Sequence, residues 1–199
     1  MEHRIITISR QYGSGARLIG ARLAEKLEIP FYDKEIIAYA AKESDVSSDF
    51  LVQAERGGGS LFRDFFIGAS PELTMGDKAY LAQFSAIRML AEKGPCIMVG
   101  RGAGAALDGI VPLLNVFIYA DLEQRKRRAV EEYGDAPSKI ESCIVAIDKK
   151  RASYFKFYTG LDGRKMTNYN ICVDSGFTGI DGAVTMIETA YLSKNSEPS

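Results

Sequence analysis

The chain has 199 residues, 46% hydrophobic and 26% charged, with a formal net charge of −1 at pH 7. A chain of that length can bury roughly 70% of its unfolded surface around one core, and its near-zero charge excludes a global basic field for nucleic acid. Cys96, Cys143 and Cys172 are odd in number, far apart and without histidine partners, which argues against a zinc site or a disulfide framework and for buried thiols.

The first predicted strand is Ile5–Ser9. It stops at Gly13-Ser14-Gly15, and an amphipathic helix follows at once over Gly15–Leu27. Strand, glycine-rich turn and helix form the layout in which backbone N–H groups and the positive end of a helix face an anion. Gly13, Ser14, Gly15, Ala16, Arg17 and Leu18 are therefore candidate phosphate-binding residues. Measured against G-x-x-x-x-G-K-[ST], however, only Gly15 survives: Arg10 holds the first glycine position, Ala16 the lysine and Arg17 the Ser/Thr. Arg17 can carry the charge to a phosphate, as a fork-shaped donor where lysine is a point charge. A plain glycine-rich turn between strand and helix is the simpler alternative. The N-terminus is charged and its apolar stretch is short, so no signal peptide or membrane span is expected, and the cytoplasm is the expected compartment.

A second strand, Pro30–Tyr32, leads to Asp33 and a helix over Lys34–Lys42, where Asp33 reads either as a helix cap or as a ligand-facing carboxylate. Residues 45–76 contain Gly57-Gly58-Gly59 and Phe62, Phe65 and Phe66. They read as a helical insertion with a flexible joint, its phenylalanines suited to the core or to a homodimer contact. A helix over Asp77–Glu92 and a strand over Cys96–Gly100 come next, with Arg101 at the strand end. The strand Val116–Ala120 runs into a helix over Asp121–Glu132. Its Arg125, Lys126, Arg127 and Arg128 read as a solvated face, with Asp121 and Glu123 four residues before Arg125 and Arg127. Residues 133–168 interleave cations with aromatics, six basic and two acidic residues lying between Asp148 and Lys165. That mixture suits single-stranded nucleic acid, but the absence of net positive charge and the helical spacing of the aromatics favour a lid-like segment. A last strand, Asn170–Asp174, precedes the rest of the chain, and Ser193–Ser199 reads as a disordered tail.

Near-continuous apolar strands separated by helices predict a parallel sheet covered on both faces, doubly wound in three layers. Ligands of such sheets sit beyond the carboxyl ends of the strands, where Gly13–Arg17, Asp33 and Arg101 all fall.

Four segments in this order and spacing carry a resemblance: the Ile6-Thr-Ile-Ser-Arg-Gln-Tyr-Gly-Ser-Gly15 loop, Phe31-Tyr-Asp-Lys-Glu35, Cys96–Gly104 and Asn115–Arg128. From about Arg4 to Ala190 the chain resembles the cytidylate kinase-like family of the P-loop nucleoside-monophosphate kinases. The resemblance implies an α/β P-loop fold with a five-stranded parallel sheet, a helical acceptor-binding insertion at 45–76 and a lid at 133–168, in one domain. It also implies ATP-dependent phosphoryl transfer to a nucleoside monophosphate, CMP-like, or to another small phosphorylated acceptor. Asp33 matches the family's acceptor carboxylate, Arg101 the arginine of its Gly-Arg-Asp segment, and Asp148 and Arg151 an Asp-x-x-Arg pair on base and acceptor phosphate. Arg17, Lys150 and Arg151 are then the catalytic cations, and Lys156 and Arg164 belong to the lid. The sequence departs from the pattern at Gly102, Tyr39 and Ile144, which replace an aspartate, an arginine and a basic residue. Mg²⁺ is implied with ATP, but without a Ser or Thr at position 17 no protein ligand for it is identified. Two other readings stay open: a non-catalytic nucleotide or anion binder with a degenerate loop, and an assembly protein that dimerises through the Phe-rich stretch.

Overall fold

The computed structural model describes residues 4–33, 35–42 and 75–194. The insertion expected at 45–76 therefore lies outside the described residues, phenylalanines included, except for Met75 and Gly76. The element order is β1 (Ile5–Arg10), α1 (Ala16–Leu27), β2 (Phe31–Tyr32), α2 (Glu35–Lys42), α3 (Met75–Glu92), β3 (Ile97–Val99), α4 (Ala103–Leu107), β4 (Leu113–Tyr119), α5 (Leu122–Glu131), α6 (Ile140–Thr159), β5 (Ile171–Asp174) and α7 (Ser175–Lys194). The five strands are all parallel, in the order β2-β3-β1-β4-β5.

Alternation along the strands explains the three layers, because successive side chains point to opposite faces. Ile6 and Ile8 of β1, with Ile97, Val99, Val116, Ile118 and Val173, pack against Ile19 and Leu23 of α1 and Val184 and Ile187 of α7. Ile5 and Met98 turn the other way, onto Ile36 of α2, Ala79, Ala86, Ile87 and Leu90 of α3, and Ala103 and Leu107 of α4. Both faces are covered, so the strands read as unbroken apolar runs. Their carboxyl ends share one edge, and the turns after β1, β2 and β3 place Gly13–Gly15, Asp33 and Arg101 there.

The lid-like segment proves to be largely one helix. The 20-residue α6 buries only Ile140 and Ile144 and ends at Gly160 in the left-handed conformation. Ile144, where the family pattern has a basic residue, is fully buried beside Ala129 of α5 and Tyr12 of the loop. At its other end α6 docks on α3: the rings of Tyr158 and Tyr80 stack at 4.2 Å and 6°, with Tyr154 and Phe84 around them. Ser193 and Lys194, expected in a disordered tail, are the last residues of α7. The length of α7 follows from the cover it gives β4 and β5, which ends with Tyr191 against Arg4. Among the described residues no helix is long and apolar enough to cross a membrane.

Cys96, which enters β3, is 1% exposed, and burial pushes its thiol from 9.0 up to about 12. Cys143 and Cys172 are only partly buried. The native Cys96 thiol keeps its proton over a range in which the unfolded chain loses it. Its contribution to stability is whole below about pH 9 and is lost as pH rises toward 12, by up to about 1.4 kcal/mol per pH unit. Urea midpoints should therefore fall between pH 8 and pH 10.5, and Cys96→Ala should flatten that fall. An identical slope in the variant would remove Cys96 as the cause.

Candidate functional site

The turn after β1 is held from several directions. Gln11 continues the sheet through its N–H to Ile118, and its side-chain oxygen accepts from Ala120 N–H. The Ser14 hydroxyl donates back to the Gln11 carbonyl at 2.9 Å, and the Ser175 hydroxyl reaches the Ser14 carbonyl at 2.7 Å from the start of α7. Gly13 has φ +78°, and a Cβ there would stand 2.5 Å from the Arg125 carbonyl, so only glycine lets α5 come this close.

That approach corrects the solvated face expected for α5. Arg125 and Arg128, three residues apart and so on one side of the helix, both turn to the loop. The Arg125 guanidinium, 9% exposed as a residue, donates to the Asp148 carboxylate at 2.6 Å and to the Tyr12 carbonyl at 3.3 Å. Arg128 donates to the Gly13 carbonyl at 2.8 Å and pairs with Glu132. Only Lys126 and Arg127 face outward, Lys126 bonding Glu123 and Glu141. Asp121 caps α5 by accepting from Gln124 N–H and does not pair with Arg125. The tertiary approach of the loop carbonyls overrides the i,i+4 pattern, because a loop carbonyl and a partly buried carboxylate are stronger partners than a solvated one.

Asp148 completes the junction. Its second oxygen accepts from the Tyr12 N–H at 2.8 Å, so the loop already holds one anionic oxygen on a backbone amide. Tyr12 is further fixed by its hydroxyl, which donates to Asp135 at 2.8 Å, by an edge contact with Tyr133 and by the Arg151 guanidinium 5.5 Å from its ring centre. Burial, and then the bond to Asp135, raise the Tyr12 phenol above its ordinary value. Burial likewise raises Tyr133, while Arg128 and the Gly15 amide draw it the other way.

Two expected site residues meet directly: Arg17 Nε lies 3.1 Å from Asp33 Oδ2. The Arg17 side chain is 61% exposed and the Asp33 side chain 11%, so a half-solvated cation covers a buried carboxylate. Arg101, Asp148, Arg151, Lys156 and Arg164 line one cleft of about 780 Å³ between the carboxyl edge of the sheet and α6. Arg101 stands in the left-handed conformation (φ +61°) between two left-handed glycines, Gly100 and Gly102. A non-glycine residue there carries local strain of the kind stored at functional sites. Arg164 is held by both oxygens of Asp162, whose carboxyl it keeps below the usual carboxylate range. Lys150 is exposed and does not line the cleft, whereas its neighbours Lys149 and Arg151 do.

Sequence reasoning missed Arg10, Gln83, Arg125 and Arg128. A Cβ on Gly100 would overlap the Arg10 guanidinium, which therefore lies across that turn and lines the cleft. Its signal was visible, as an arginine at the motif's first glycine position. No sequence feature announced the other three.

If the Arg125–Asp148 pair is a partly buried brace, Asp148→Asn should lower unfolding free energy by about 1–3 kcal/mol, since it strands a buried guanidinium. A double-mutant cycle with Arg125→Met, read by urea denaturation, should show coupling of about 1 kcal/mol or more. Coupling of a few tenths or less would make the contact an ordinary surface pair.

The sequence model of the cytidylate kinase-like family matches residues 5–176, most of the chain, and the protein belongs to that family. No curated protein matches it. Among solved structures, an uncharacterized protein from Eubacterium ventriosum ATCC 27560 is 27% identical, with TM-score 0.73 over 95% of this chain and 98% of that one. A shikimate kinase from Bacteroides thetaiotaomicron is 17% identical, with TM-score 0.55 over 97% of this chain and 99% of that one. A gluconokinase from Sinorhizobium meliloti 1021 is 16% identical, with TM-score 0.52 over 96% and 97%. The last two share the fold: a five-stranded parallel α/β sheet of the P-loop kinase type.

Proposed function

We propose that this member of the cytidylate kinase-like family transfers the terminal phosphoryl group of ATP to a small phosphorylated acceptor, of the CMP-like nucleoside-monophosphate class. One observation carries this reading: the glycine turn and a cation-lined cleft share the carboxyl edge of the sheet, and the Arg17–Asp33 pair lies at that same edge. In phosphoryl transfer the protein's task is to position the reactants and to neutralise charge spread over the phosphoryl oxygens. Gly13–Leu18 would take the donor phosphates on backbone amides. Arg17 would swing from Asp33 to the phosphates, freeing that carboxylate for the acceptor. Arg101 and Arg151 would hold the acceptor phosphate, Asp148 would accept from the acceptor's base, and Lys150, Lys156 and Arg164 would close over the site. Shikimate kinase and gluconokinase, as their names state, phosphorylate other small acceptors, so the fold leaves acceptor choice to the cleft.

Magnesium accompanies ATP in such reactions. Arg17 and Leu18 offer it no hydroxyl, and the described residues hold no group of three or more His, Cys, Asp or Glu side chains able to bind a metal. Among the described residues no protein ligand for the ion is identified. A cytoplasmic site of action fits the three free thiols.

The second reading, a non-catalytic binder, is favoured by Ala16 in the lysine position and by the partners that Tyr12 N–H and Arg17 already have. Turnover separates the two. Purified protein with ATP, Mg²⁺ and CMP should form ADP and CDP faster than a control without acceptor. Asp33→Asn should lower kcat/KM at least about tenfold, or about 1.4 kcal/mol of transition-state stabilisation. Its melting temperature should move by only a few degrees, because the carboxylate's partner is mostly solvated. Tight nucleotide binding without turnover on any monophosphate would favour the binder. Marked destabilisation by Asp33→Asn would make that residue a structural cap.

A further inference from the structure

Along α3 the side facing the sheet runs Ala79, Gln83, Ala86, Ile87 and Leu90, all 3% exposed or less. Four of these are the apolar residues that such a stripe requires. Gln83, only 2% exposed, is the exception, and no hydrogen-bond acceptor reaches its Nε2. An amide NH2 buried without an acceptor forfeits the hydration it had in the unfolded chain, and native structures seldom leave that cost uncompensated. Leucine or methionine would fill the same volume without it. The position is not deep core, however, because Gln83 forms part of the cleft wall together with the Gly100–Gly102 turn that carries Arg101. The missing partner can therefore come from a ligand.

The surroundings narrow what that ligand presents. The cleft is rich in cations for a phosphate, Arg10, Arg101 and Arg151 among them, so a neutral amide is not needed for that task. The same cleft wall is aromatic: Tyr154, Phe155, Phe117 and Tyr169 line it with Gln83, and Tyr154 faces Tyr80 of α3 at 6.4 Å between ring centres. A neutral donor beside aromatic rings suits a flat, neutral group that offers a carbonyl oxygen or a ring nitrogen.

We infer that Gln83 determines acceptor specificity, donating from Nε2 to a carbonyl oxygen or ring nitrogen of the acceptor's nucleobase while the cleft arginines hold its phosphate. The inference rests on the nucleoside-monophosphate reading of this cleft. A site built to hydrogen-bond a substrate group discriminates strongly against an analogue lacking it, because its own polar group is then left unpaired. Conversely, removing the amide should relieve the free protein of an unsatisfied group.

The test measures binding of CMP, UMP, AMP and GMP by calorimetry, with ribose 5-phosphate as the control that keeps the phosphate and lacks the base. Wild type should bind at least one nucleotide at least tenfold more tightly than ribose 5-phosphate. Gln83→Leu and the unbranched Gln83→Met should erase that preference, leave ribose 5-phosphate affinity within about twofold, and melt at or above the wild-type temperature. Equal loss of affinity for both ligand types, an unchanged preference for the base, or failure of both variants to fold would overturn the proposal and make Gln83 structural. So would a wild type that never prefers a nucleotide over ribose 5-phosphate. If wild type turns over no monophosphate yet the variants lose the base preference, the kinase reading falls and the role of Gln83 stands.

Discussion

Asp148 joins three parts of the protein that would otherwise be independent: the turn after β1, the helix after β4 and the helix that covers the cleft. One carboxylate oxygen takes the Tyr12 N–H and the other takes Arg125, which itself reaches the Tyr12 carbonyl. The tightness of the glycine turn depends on this constraint, because α5 can lie against Gly13 only while Arg125 has partners for its charge. The position of α6 depends on it too. That helix buries little apolar surface of its own, and what fixes it is Asp148 near the loop and the Tyr158–Tyr80 stack at its far end.

This junction changes how the missing lysine is understood. A phosphate loop needs cationic charge and oriented amides, and the charge need not come from the loop's own sequence. Here Arg125 and Arg128 arrive from α5 and bind the carbonyls of Tyr12 and Gly13, fixing those peptide planes. Arg10 and Arg17 approach from the loop's two ends, toward Gly100 and Asp33. The positive charge of the region is spread over arginines that all hold structural partners. An anionic ligand therefore enters a network in which these arginines already hold internal oxygens, and its binding exchanges some of those partners.

The cleft shows the same economy. Its carboxylates are engaged, Asp148 by Arg125 and Asp162 by Arg164, so its field is set by the remaining cations. Arg101 is held there in a left-handed conformation that leucine or lysine would occupy at equal strain, which indicates that the arginine's reach, not backbone preference, justifies its place. Against that charged background a neutral amide such as Gln83 gains meaning, since it adds a directional donor without adding charge.

Much of the fold was legible along the chain. Apolar runs at Ile5–Ser9, Cys96–Gly100 and Asn170–Asp174 mark strands because both faces of a parallel sheet are buried, and the turn glycines mark where each strand hands over to its helix. The placement of Asp33 and Arg101 at one edge follows from the same alternation, which sends every strand end in one direction. Other features could not be read locally. Arg125 and Arg128 look like any charged helix face until the loop is brought against them, and the apolar stripe around Gln83 does not show that the glutamine within it borders a cleft. The 20 residues of α6 have few buried positions and hence a weak apolar period, so the helix is specified by contacts with distant Tyr12 and Tyr80. Local patterning thus determined the layers and the edge at which ligands meet the sheet. Which charges meet the phosphate turn, and which polar group is left without a partner, was decided by long-range packing, because charge and hydrogen-bond complementarity exist only between surfaces that the tertiary structure brings together.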